Sequence, residues 1–349
     1  MVFAGWQFLA MAAVFLAARW VAWPARRFMR VGLALMAVFL AGIVAIGGRG
    51  HGVGGWVYPL GWVAGLGYGA YWMGLYTAAL RETGAGDRDR FNGNMGAAEA
   101  SAGLVGPLAG ASLIRWAGGF LTVFAVSLAG LAPSWLLVRR VGGLAEPPEH
   151  PGPPAAGPRW RRLMGAMAAR GAYEGLLMTA PGLLLFETSG SAARVGAFAS
   201  LVAAAQLAGS HWAGRAHGIR ARSRLAWGGA ALLTLASALL GRLPLALGLW
   251  GYGAAAGVAV PLQKVPVEAW SLDLIGGLSM QPRQATAVKE LVLNGARALG
   301  LLMVGLMLVG ARDVLGLTRM LLVLPVPALG VAILLTPRGW PALRRPQRP

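Results

Sequence analysis

The sequence predicts an all-α polytopic integral membrane protein, with about eleven transmembrane helices in two pseudo-repeated bundles. Three observations carry that expectation. Of 349 residues, 57% are hydrophobic and 12% charged, at a mean hydropathy of +0.61, whereas an ordinary soluble domain carries roughly a quarter charged residues. Apolar runs of about 20 residues recur from end to end, each long enough to cross a hydrocarbon core of about 30 Å. The basic residues fall at alternate joints between those runs.

The apolar runs, with edges soft by a few residues so that basic residues near an end count with the adjoining joint, are 4–23, 31–48, 56–80, 94–114, 118–138, 163–186, 195–213, 225–241, 244–271, 284–310 and 314–336. The first is not a cleaved signal peptide, because no basic segment precedes it, while Arg19, Arg26, Arg27 and Arg30 follow its apolar part. Of the 31 Lys and Arg residues, 22 lie after the odd-numbered spans, six after the even-numbered ones, and Arg170, Lys264 and Arg297 lie inside spans. Short loops rich in these residues stay cytoplasmic. The expected topology therefore has Met1 outside and the C-terminus inside.

This placement also accounts for the formal net charge of +19. A nucleic-acid surface would gather its basic residues on one face among polar readers, so no nucleic-acid partner is expected; the partners are a lipid bilayer and a small solute, with the chain acting as a monomer. There are no cysteines, and the four histidines are His51, His150, His211 and His217. Neither a metal site nor another cofactor is expected.

Residues Val141 to Pro158 are rich in Pro and Gly and nearly devoid of apolar side chains, which reads as a cytoplasmic linker. The expected organisation is a bundle of five spans over 1–140, a linker over 141–160, and a bundle of six spans with a basic tail over 161–349. Charge inside the spans has a period of three. Spans two, five, eight and eleven have uncharged cores and should lie at the periphery. The spans between them carry Glu99, Arg170, Glu174, Gln206, Lys264, Glu268, Glu290 and Arg297.

A three-helix unit repeated through two halves joined by a cytoplasmic linker resembles the architecture of the major facilitator superfamily. Gly103, Gly106, Pro107 and Gly110 in span four are similar to the glycine-proline element of that family's fifth helix, offset by one at the first glycine. The tract His211-Trp-Ala-Gly214-Arg215-Ala-His-Gly218-Ile-Arg220 resembles the basic loop within a half; Gly214 stands where that loop normally has an acidic residue. Tyr71-Trp72 and Asp89-Arg90-Phe91-Asn92-Gly93 are similar to bacterial members. The resemblance implies that the eleven spans correspond to the family's second through twelfth helices, with no counterpart of its first. It also implies a secondary transporter in a bacterial-type inner membrane, working by alternating access, with proton-coupled export of small amphipathic compounds as the leading reading.

Arg170 and Glu174 are spaced i, i+4 on one face of span six, at mid-depth, where a charge costs roughly 2.5–3.5 kcal/mol and should face protein or a water-filled cavity. With Arg297 in span ten they form the expected proton and substrate site. Tyr68, Tyr71, Trp72 and Tyr76 in span three form a stripe that serves either packing or binding; the resemblance, which makes span three a cavity-lining helix, implies that they are cavity-lining aromatics. Glu99, Lys264, Glu268, Glu290 and Arg215 are expected at a cytoplasmic gate, Lys264 and Glu268 as a pair within span nine. Gly103, Gly106, Pro107 and Gly110 should serve helix packing, as should Gly61, Gly65 and Gly69. No phosphate-binding G-x-x-x-x-G-K-[ST] is present, which leaves gradient-driven transport rather than ATP. The competing classes are a non-transporting scaffold and a membrane-embedded enzyme; the latter would need a nucleophile and base at one depth, and no such set is visible.

Overall fold

The computed structural model describes residues 2–21, 23–47, 54–84, 87–117, 119–141, 157–276, 282–310 and 314–336. Most of the expected linker, and the basic tail from Arg338, lie outside the described residues. Ten of the eleven expected spans are single helices: α1 Val2–Ala18, α2 Ala25–Gly47, α3 Val57–Glu82, α4 Arg88–Ala117, α5 Phe120–Val138, α6 Pro158–Ser189, α7 Ala192–Ala213, α8 Ile219–Leu240, α9 Leu245–Gly276 and α10 Pro282–Gly310. The eleventh is divided at Leu324 into α11 Val314–Val323 and α12 Pro325–Leu334. Pro325 is at the first position of α12, where its missing N–H costs least.

Among the described residues, five helices are both long and apolar enough to cross a membrane by themselves, within α2, α4, α5, α8 and α9. The same is not true of α6 and α10, because they carry Arg170, Glu174, Lys289, Glu290 and Arg297. All described residues in these elements are helical, as a bilayer requires of backbone that must satisfy its own hydrogen bonds. Hydroxyls follow the same rule: Thr77 donates to the Met73 carbonyl at 2.8 Å and Thr234 to the Ala230 carbonyl at 2.8 Å.

The two halves pack internally through glycine. On α3, Gly61, Gly65 and Gly69 face α1, and a Cβ on Gly65 would come 2.4 Å from the Gln7 carbonyl oxygen. On the nearly opposite side of the same helix, Gly67 and Gly74 face α2, where Gly32 comes equally close to the backbone of α3. Three of the five α3 glycines thus serve one neighbour and two serve another. In the second half Gly229 of α8 lies on the Ala259 carbonyl of α9. Gln263 then ties α9 to two neighbours, its Nε2 donating to the carbonyls of Ala226 at 3.2 Å and Ala328 at 3.0 Å.

Helices α2, α5, α8 and α12 find their main partners inside their own half, the arrangement their uncharged cores predict. The halves meet elsewhere, with α1 and α3 on α10, and α4 on α7 and α9. Phe15, Met73 and Ala287 form a buried apolar cluster at the first of these seams, joined by Phe8, Trp72 and Leu291.

The span-four glycine element does not act as one packing surface. Gly103 faces Ala203 of α7 at 3.4 Å and Gly110 faces Val123 of α5 at 3.8 Å, while a Cβ on Gly106 would meet nothing within 4 Å. The close approach of α4 to α7 is made nearer its N-terminus. There Gly93 lies against Gly214, at 2.5 Å from its Cα to a Cβ placed on Gly93, and Gly96 lies against Ser210.

A sharper case concerns α6 and α10. A Cβ on Gly171 would sit 2.4 Å from the Leu293 carbonyl oxygen, and one on Gly175 would sit 3.0 Å from that of Arg297. Gly171→Val is expected to force these backbones apart at a cost of about 1–3 kcal/mol or more, lowering the melting temperature in detergent. Gly106→Val, facing open space, should leave it within a degree or so of wild type. Equal melting of the two variants would show that the α6–α10 approach carries no stability.

Candidate functional site

Gly171 and Gly175 flank Arg170 and Glu174 in sequence, and their lack of side chains brings α10 against the helix that bears those charges. Counting from the start of α6, Arg170 is twelve residues in and Glu174 sixteen, roughly 18 and 24 Å at 1.5 Å per residue. Arg297 is fifteen residues into α10, roughly 22 Å by the same rise. The three lie at matching depth.

They belong to a closed ring. Arg170 Nε donates to Glu174 Oε1 at 2.5 Å and its Nη1 to Glu268 Oε1 at 2.6 Å. Lys289 Nζ donates to Glu268 Oε2 at 2.6 Å and lies 2.8 Å from Glu290 Oε1. Asn294 Nδ2 reaches Glu290 Oε2 at 3.3 Å, and Arg297 Nη1 donates to Asn294 Oδ1 at 3.0 Å. Arg297 Nη2 closes the circuit on Glu174 Oε2. Three carboxylates and three cations, drawn from α6, α9 and α10, balance to zero charge. Lys289 is fully buried, Arg170 and Glu268 are 1% exposed, and the Arg297 side chain is the most open at 13%.

The first half closes over this ring with aromatic faces. Lys289 Nζ sits 4.4 Å from the centroid of Tyr76, and Arg297 Cζ 5.4 Å from that of Phe8, both within cation–π range. Trp72 stacks on Tyr76 with centroids 5.5 Å apart. Exposure rises along that face, from buried Tyr76 through half-buried Trp72 to Tyr68 at 46%. Tyr71 is not part of it. It points to α2, packed with Met29 and Leu33, because successive helix positions are about 100° apart.

The five residues expected at one gate fall into three places. Glu268 and Glu290 are ring members. Lys264 does not pair with Glu268; its Nζ donates to Glu99 Oε2 at 2.5 Å, joining α9 to α4 across the halves. Arg215 lines a cavity at the Arg-rich end.

A second charge cluster, at that same end, escapes the sequence reading. Arg222 at the start of α8 makes a two-pronged contact with Asp89, Nε to Oδ1 and Nη2 to Oδ2, both at 2.8 Å. Its Nη1 donates to Asp273 Oδ2 at 2.6 Å, and Arg88 Nη1 donates to Asp273 Oδ1 at 2.9 Å. The circuit runs from α4 to α8 to α9 and back to α4, so it pins the first half to the second. Arg88, Arg222 and Lys289, counted with the joints in the basic-residue pattern, are buried helix residues. Among the described residues, no cluster of three metal-ligating side chains occurs.

No family model matches the chain. It is 26% identical over 287 residues to the uncharacterized protein YqgE of Bacillus subtilis (strain 168), covering 78% of this chain and 66% of that protein. It is 35% identical over 86 residues to an uncharacterized protein encoded in the sodM 3' region of Geobacillus stearothermophilus, covering 25% of this chain and 39% of the other. The chain thus spans less than two thirds of the length of either relative. Among solved structures it resembles a bacterial homologue of the iron transporter ferroportin in its outward-facing state with soaked iron, at a TM-score of 0.69, with 15% identity over 96% of this chain and 87% of the other. It is similar to the major facilitator transporter FucP in the outward conformation, at a TM-score of 0.69, with 9% identity and the same coverage. The human organic anion transporter MFSD10 matches at a TM-score of 0.64, with 19% identity over 96% of this chain and 82% of that one. The chain has the fold of the major facilitator superfamily transporters and is a multi-pass membrane protein.

Proposed function

We propose that this chain is a secondary transporter of the major facilitator type. It moves a small amphipathic solute by alternating access, as a monomer, and couples export to protons across a bacterial-type inner membrane. The Arg-rich joints give the orientation, with Met1 outside and the C-terminus in the cytoplasm. The reading rests on one observation above the others: six charged side chains and Asn294 form a closed, neutral circuit buried among α6, α9 and α10. Intramembrane charges are costly to keep, and an apolar core of similar volume often serves stability as well or better.

Glu174 is the carboxylate between two arginines of different helices, Arg170 and Arg297. When it takes a proton, both guanidiniums lose a counter-charge and Arg297, the most exposed of the ring, becomes free for substrate. When the proton leaves, Glu174 recaptures Arg297 and expels it. The graded face Tyr76, Trp72, Tyr68 gives the apolar part of the solute a path to that cation.

The test pairs transport with folding. Glu174→Gln in proteoliposomes is expected to remain folded, by its melting temperature, and to lose the dependence of fluorescent amphipathic dye flux on an imposed pH gradient. Flux coupled to that gradient as in wild type, or an unfolding that accounts for all the lost flux, would rule out the proton role.

A further inference from the structure

At the Arg-rich end, the seam between the halves encloses a cavity of about 370 Å³. Arg90 and Asn94 reach it from α4 of the first half; Ser210 and His211 come from α7, and Arg215 and His217 from the connection to α8. Gly93 and Gly214, which bring the two helices into backbone contact, also line it. Two guanidiniums, two imidazoles, an amide and a hydroxyl converge here, and no carboxylate lines the space. Arg88 and Arg222, close by, are engaged by Asp89 and Asp273. Arg90 and Arg215 have no carboxylate partner among the described residues. His217 alone approaches one, its Nδ1 standing 3.7 Å from Asp89 Oδ2.

We propose that this cavity binds a phosphate group, presented by the headgroup of an acidic phospholipid or as free phosphate. Planar guanidinium forks suit phosphate oxygens, and a lining with two guanidiniums and no carboxylate favours an anion. The cavity is also at the right height for a headgroup. α7 ends at Ala213 and α4 begins at Arg88, and Trp212, 61% exposed, stands beside it as tryptophans do at the membrane–water boundary.

The donors come from both halves, so the site exists only while Gly93 lies on Gly214. A phosphate there binds the state closed at this end better than a state in which the seam has parted, and shifts the population toward closure. The effect does not depend on which solute is carried or on the titration of Glu174.

The experiment uses the purified full chain in neutral detergent, its melting midpoint followed against phosphatidylglycerol, phosphatidylcholine and inorganic phosphate. A ligand of the folded state raises that midpoint. Phosphatidylglycerol is expected to raise it and phosphatidylcholine is not; a matching rise with inorganic phosphate assigns the site to the free anion instead of the lipid. In the double variant Arg90→Gln/Arg215→Gln the dose for the half-maximal rise should increase at least about tenfold. Arg220→Gln, exposed and outside the cavity, should respond like wild type. If the double variant fails to fold, Arg90→Gln and Arg215→Gln are each read in the same way. No rise with either phosphate source, or a variant that responds at the wild-type dose, overturns the proposal.

Discussion

Arg170→Met is expected to melt far below wild type and to be the most destabilising single change in the ring. Arg170 is 1% exposed and serves two carboxylates on different helices, Glu174 through Nε and Glu268 through Nη1. Its loss leaves the buried circuit with three carboxylates and two cations, and breaking one buried pair typically costs about 3–5 kcal/mol. Lysine should rescue it only in part, because its one nitrogen cannot occupy both the Nε and the Nη1 positions from which Arg170 reaches Glu174 and Glu268. Neutralising a partner should also rescue it. Arg170→Met/Glu268→Gln restores the balance to two and two, leaving Glu174 with Arg297 and Glu290 with Lys289. The double variant is therefore expected to melt above Arg170→Met alone, with a coupling of about 0.5–3 kcal/mol. Melting of Arg170→Met at the wild-type temperature, or strictly additive losses in the double variant, would mean that the charges are not balanced as a unit.

That circuit was partly legible in the sequence. Arg170 and Glu174 stood out because their i, i+4 spacing is local and mid-span charges are rare, and Arg297 followed from its depth together with the place that the family resemblance gives span ten. Glu268 and Glu290 looked like gate residues because both lie within a few turns of an Arg-rich joint, and linear depth does not report which way a side chain turns. Lys289 was hidden for the same reason, seven residues into a helix whose start lies among basic residues. The peripheral helices were legible from absence of charge, a property of each span by itself. The glycines of α3 were legible as a packing pattern but not as two separate faces, since Gly67 and Gly74 fall outside the i+4 series. The Arg222 cluster was illegible because Asp89, Arg222 and Asp273 are 133 and 51 residues apart in the chain. Only tertiary packing brings α4, α8 and α9 together.

Cutting that cluster is expected to part the seam at the Arg-rich end. Arg222 holds Asp89 of the first half and Asp273 of the second simultaneously. With Arg222→Gln, Asp273 keeps Arg88 while Asp89 loses its two-pronged arginine contact, and one half's carboxylate then faces the other's across the seam. Their repulsion opposes the contact of Gly93 with Gly214, which has no polar bond of its own between the glycines to hold it. The chain has no cysteine, so a single reporter thiol can be placed cleanly. Ser210 is 2% exposed, packed against Gly96 of the opposite half, and Ser210→Cys is close to isosteric. In the otherwise intact chain this thiol should react slowly with a polar maleimide. In the Arg222→Gln background its labelling rate should rise at least about tenfold, the response to about 1.4 kcal/mol less preference for closure. Asp89→Asn should act in the same direction but more weakly, because Arg222 keeps Asp273. Arg220→Gln, an exposed neighbour two residues away, should leave the rate unchanged. An unaltered rate in Arg222→Gln would place the closing force in the glycine contacts and the Lys264–Glu99 bridge instead. Opening in Arg220→Gln as large as in Arg222→Gln would reduce the effect to overall charge near the seam.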